Sequence, residues 1–86
     1  MWIVELSFSE DPGRLDARPA HRAILTGEHA RGVVKMAGPL ADDSGAVIVL
    51  DLPDQRAVEE FLAADPYYAR PGVTVERIRQ WATFLP

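Results

Sequence analysis

Apolar and polar residues alternate through the first nine positions. Trp2, Val4, Leu6 and Phe8 fall on one side of an extended chain, and Ile3, Glu5, Ser7 and Ser9 on the other. A period of two is the mark of a strand with one buried face. Asp11-Pro12-Gly13 interrupts it, and residues 16–31 read as a helix. Pro19 is placed in the first turn, where a missing N–H costs no hydrogen bond, and Gly32 is placed to end the helix. At 100° per residue, Ala20, Ala23, Ile24 and Gly27 form its apolar stripe, with His21 at the edge and His29 well away from the centre. Val33, Val34, Met36 and Ala37 make a second strand that Gly38-Pro39 ends. A polar turn over residues 41–45 leads into residues 46–52, whose β-branched residues predict a third strand. Asp54 caps a second helix in which Val58, Phe61 and Leu62 recur at i, i+3 and i+4, and which stops near Asp65-Pro66. The alternation of Val73 and Val75 loses phase by Ile78, so residues 73–81 predict a last strand with a bulge or a long β-arm.

The order β-α-β-β-α-β is the ferredoxin-like arrangement of the α+β class, a four-stranded antiparallel sheet with two helices on one face. The second sheet face needs a cover. The 86 residues supply one domain, residues 1–86, and no further element. Two sheets packed face to face in a homodimer, a dimeric α+β barrel, answer that need.

Composition narrows the function. The chain has no cysteine, so thiolate metal sites and cysteine nucleophiles are excluded. Its formal charge is −4, and its nine basic residues are scattered, which argues against nucleic acid as a partner. The apolar run at residues 46–50 is too short to span a bilayer, and the start lacks a basic flank. The expectation is a cytoplasmic protein with no membrane partner. No glycine-rich phosphate loop, HExxH pattern or clustered ligand set appears, so neither a cofactor nor a metal is expected.

His21 is the first candidate for chemistry, because imidazole suits proton transfer near neutral pH. The plainer alternative is a core-edge histidine bonded to a carbonyl. Asp65 follows the second helix, which runs beside the first in this arrangement, so its carboxylate can accept the Nδ1–H of His21 and leave Nε2 free. Equally, Asp65 can be a turn residue before proline. Arg18, one turn before His21, can hold a carboxylate or phenolate, or pair with Asp16 or Glu28 in solvent. Tyr67 offers an aromatic wall and a hydroxyl. Gly38 and Pro39 form a turn that also permits close approach of a ligand to the backbone.

Arg18-Pro19-Ala20-His21, Met36-Ala37-Gly38-Pro39 and Ala64-Asp65-Pro66-Tyr67, in this order and spacing, resemble the YCII-related (YciI-like) family over nearly the whole chain. The resemblance implies a dimeric α+β barrel with a small cleft lined by a histidine and aspartate pair, here His21 and Asp65, for which an acid/base role has been proposed. It also implies analogy with muconolactone isomerase-like and dehydrochlorinase-like reactions on small organic compounds. Two departures stand out. Ser44-Gly45-Ala46 replaces a Gly-Ser step common in the family, which removes Ser44 from the candidate set, and the 40–45 connection is short, which opens the cleft to water. The expected function is a cofactor-independent acid/base enzyme in which His21 and Asp65 are catalytic and Arg18, Gly38, Pro39 and Tyr67 bind substrate. The alternative is a non-catalytic small-molecule-binding or interaction module.

Overall fold

A computed structural model describes residues 1–85; Pro86, the last residue of the expected domain, lies outside the described residues. The elements run β1 (Trp2–Phe8), α1 (Gly13–Ala30), β2 (Val34–Pro39), β3 (Gly45–Leu50), α2 (Gln55–Ala63), the short 3-10 turn η1 (Pro66–Ala69) and β4 (Val73–Gln80). The sheet order is β2-β3-β1-β4, with every neighbouring pair antiparallel. This is the expected ferredoxin-like α+β fold.

The alternation in β1 works as read. Trp2, Val4 and Leu6 are buried and pair with Leu50, Ile48 and Ala46 of β3. They meet Val34, Val58, Tyr67 and Tyr68 in one core under the helices. The lost phase in the last strand is a bulge: Leu6 faces Val75 while Glu5 faces Arg77, leaving Glu76 as the extra residue. Helix α2 starts where Asp54 predicts, its Oδ1 accepting the Ala57 N–H at 2.8 Å.

Helix α1 differs from the reading in two respects. It begins at Gly13, whose N–H donates to Asp11 Oδ1 at 2.8 Å. Pro19 therefore lies inside the helix and not in its first turn. It sits on the exposed side, where the carbonyl it leaves without an N–H one turn earlier can be reached by water. The buried face is also not the stripe of Ala20, Ala23, Ile24 and Gly27, all of which are exposed. Arg14, Ala17, His21 and Leu25 turn inward instead, because this face lines a polar cavity as well as the core. The helix ends as Gly32 predicts, in a Schellman motif. Gly32, at φ +83°, donates to His29 O at 3.1 Å, and Val33 donates to Glu28 O at 2.9 Å.

The β2-β3 connection is tight. Leu40 N–H donates to Gly45 O at 2.8 Å and Asp43 N–H to Leu40 O at 2.9 Å, with Asp43 at φ +60°. Gly45 crosses β1 so closely that a Cβ built there would lie 2.1 Å from the carbonyl oxygen of Leu6.

Among the described residues no helix covers the opposite face of the sheet, although Val49 on it is already buried within the protomer. By register this face presents Ile3 and Glu5 of β1, Val47 and Val49 of β3, Met36 of β2, and Arg77 and Arg79 of β4. Glu5 forms ion pairs with Arg77 at 2.7 Å and Arg79 at 2.9 Å. Trp81, Phe84 and Leu85, after β4, are exposed and do not close the protomer's own core. No described helix is long and apolar enough to cross a membrane.

Candidate active site

A cavity of about 420 Å³ opens between α1 and the helix-facing side of the sheet, within the ~300–1,000 Å³ range of small-molecule pockets. Its apolar wall includes Leu6, Phe8, Leu25, Val34 and Ile48, and its polar lining comes mainly from one face of α1. Arg14, Arg18, His21, Leu25 and His29 recur at helical spacing, so a single face of the helix brings them to the cavity.

His21 and Asp65 are paired. The His21 Nδ1 to Asp65 Oδ2 distance is 2.6 Å, with His21 7% and Asp65 3% exposed. Asp65 is held by its place at the start of η1, where its Oδ1 accepts the Tyr67 N–H at 3.0 Å. A carboxylate accepting on both oxygens leaves Nδ1 as the protonated nitrogen of His21 and turns Nε2, the opposite ring atom, away from Asp65. The ring is fixed on two further sides. Tyr67 stacks on it with centroids 3.9 Å apart and planes 8° from parallel, and Tyr68 meets it edge-on at 5.2 Å. Arg70 ties the two segments together, donating from Nη2 and Nε to Gly13 O at 2.8 and 3.2 Å. The 3-10 turn carrying Asp65 is thereby anchored to the helix carrying His21.

Arg18, Gly38, Pro39 and Tyr67 all reach the cavity wall. Arg18 pairs with neither Asp16 nor Glu28. The sequence reading missed Arg14 and Asp43. Arg14 is 8% exposed, its guanidinium lies 4.0 Å over the Phe8 ring, and its Nη2 donates to Asp43 Oδ2 at 3.0 Å. Burial works against the charge of Arg14, but the hydrogen bond and negative charge of Asp43, together with the nearby Tyr67 side chain, outweigh it and raise its pKa. The signal was present: Arg14 stands four positions before Arg18 and seven before His21, on the same face of a helix that starts at Gly13. The 40–45 connection sends Asp43 across to Arg14. Among the described residues no three or more acidic or histidine side chains are grouped to hold a metal ion.

The Tyr68 hydroxyl is buried and finds no hydrogen-bond partner among the described residues. Burial, reinforced by the negative charge of Asp65, pushes its pKa well above that of an ordinary phenol. The fold thus favours the neutral phenol, so this contribution to stability is complete below about pH 10 and is lost as pH rises beyond it. Tyr68→Phe is expected to be at least as stable as the parent near neutral pH, since a lone buried hydroxyl costs about 1–3 kcal/mol. It is also expected to lose less stability between about pH 8 and about pH 11. Urea unfolding at both pH values checks this; a parallel decline in the two proteins would show that Tyr68 has no part in alkaline unfolding.

Fold and site together define a class: a split β-α-β domain with a buried histidine-aspartate pair facing a small-molecule cavity. The family model described as YCII-related domain matches residues 2–82. The chain belongs to this family. No curated protein matches it.

Proposed function

We propose that the protein is a small cytoplasmic enzyme, independent of cofactors, that moves a proton on a small organic compound, with His21 as the acid/base. The observation that carries this reading is the 2.6 Å contact between His21 Nδ1 and the buried Asp65 carboxylate beside a cavity of ligand size. Asp65 fixes the tautomer, orients the ring and stabilises the imidazolium that forms when Nε2 takes a proton. Arg18, Gly38, Pro39 and Tyr67 contact the substrate. Isomerisation, elimination and lactone chemistry all need such a transfer. A screen of small carbonyl and phenolic compounds by NMR, with parent and His21→Gln run in parallel, tests the proposal. Conversion lost in His21→Gln supports it. Saturable binding with no chemical change in the parent sinks it in favour of a binding module.

The homodimer belongs to the same proposal. The sheet face opposite the helices joins half-buried Ile3 and Val47 and exposed Met36 to a strip holding both Glu5 and the Arg77-Arg79 pair. A patch with both signs of charge can complement its own copy across a two-fold axis. Val47→Glu sets an acid at the centre of this face, opposite Glu5, and is expected to give a monomer by light scattering. A dimer unchanged in Val47→Glu would move the interface elsewhere.

A further inference from the structure

The cavity carries a charge opposite to that of the chain. The protein's formal charge is −4, yet three arginines and a single aspartate line the cavity. Apolar walls concentrate the resulting positive field on whatever enters. Arg14 is central to it. Its guanidinium is buried and oriented by the Phe8 ring, but its ionic partner is loosely committed. The Asp43 side chain is 55% exposed and meets Arg14 through one oxygen. Asp43 also occupies a left-handed backbone conformation, φ +60°, which a residue with a Cβ adopts at some cost. Arg18, one helical turn on, faces the same space with no ion pair among the described residues. The start of α1 is already engaged by Asp11, so the donors on offer are flat guanidinium forks beside an apolar wall. A planar carboxylate with an apolar body matches both.

We propose that the cavity binds a small organic carboxylate, its anionic head held by Arg14 and Arg18 and its apolar body laid along Leu6, Phe8 and Leu25, with Asp43 giving up Arg14 as the ligand arrives. The inference deepens the enzymatic reading by naming the substrate's chemical class, but binding of the anion does not depend on proton transfer by His21.

Benzoate and its neutral isostere benzamide, titrated into ¹⁵N-labelled protein, test it. Benzoate is expected to give saturable shifts along α1 and the β2-β3 turn, with benzamide at least about tenfold weaker, the scale of a lost charge-assisted contact. Arg18→Gln, a change at a partly exposed side chain, is expected to weaken benzoate by about tenfold. Asp43→Asn is expected to tighten it, because a competing carboxylate is gone. His21→Gln is expected to keep the preference for benzoate over benzamide. The absence of a saturable shift with benzoate, equal binding of the two probes, weaker benzoate binding in Asp43→Asn, or loss of the preference in His21→Gln would each overturn the proposal. The His21-Asp65 pairing has a separate readout in the tautomer of the ring, so either idea can fail without the other.

Discussion

Turnover in His21→Gln is expected to fall by about 10²- to 10⁴-fold, the contribution of a positioned general acid/base. Glutamine preserves a polar side chain beside Asp65. Alanine would leave that carboxylate buried without its partner, at a cost of about 3–5 kcal/mol in stability, and an unfolded sample would imitate an inactive one. Asp65→Asn is the complementary variant. The amide keeps an acceptor for the Tyr67 N–H, so η1 persists, but it cannot stabilise an imidazolium as a carboxylate does. The loss is therefore expected in kcat, with KM little changed, because Asp65 acts through His21 and lies behind it, off the cavity lining. Steady-state kinetics on a compound found by the screen measure both constants. Activity in Asp65→Asn equal to the parent's would mean that the pair is only structural.

The second large effect concerns the fold. Gly45→Ala is expected to destabilise the protein by about 3 kcal/mol, the upper range for forced overpacking, which for a domain of this size lowers Tm by on the order of 15 °C. The new Cβ would have to displace the Leu6 carbonyl, 2.1 Å away, and that carbonyl belongs to the central strand. The β1-β3 ladder would give way locally, and with it the wall of the cavity formed by Leu6 and Ala46. Thermal unfolding by circular dichroism checks this; a loss below about 1 kcal/mol would mean that the sheet relaxes around the methyl group.

The elements with strict periodicity and local caps were legible in the sequence. The alternation of β1, the β-branched run of β3, the Asp54 cap of α2 and the phase loss in β4 each reflect a rule that acts within a few residues. The His21-Asp65 pair was legible because the topology sets α1 beside the end of α2. What was not legible concerns α1. Pro19 looked like a first-turn residue, which hid the turn beginning at Gly13 and left Arg14 outside the helix. The apolar stripe of Ala20, Ala23 and Ile24 then outweighed the face holding Arg14, Arg18 and His21. Hydrophobic patterning assumes that the inward face of a helix meets only apolar core, and here it also lines a polar cavity. The 3-10 turn at Pro66–Ala69 escaped because four residues are too few to show a period. The reach of Asp43 to Arg14 joins positions far apart in sequence, and no local rule announces it.

The most direct test of the His21-Asp65 pair is the state of the His21 ring, read from its ¹⁵N chemical shifts in the neutral form, in the parent and in Asp65→Asn. The account predicts a proton on Nδ1 and a bare Nε2 in the parent. In Asp65→Asn, where the amide can donate to Nδ1, the proton should shift to Nε2. A proton on Nε2 in the parent, or the same tautomer in both proteins, would contradict it.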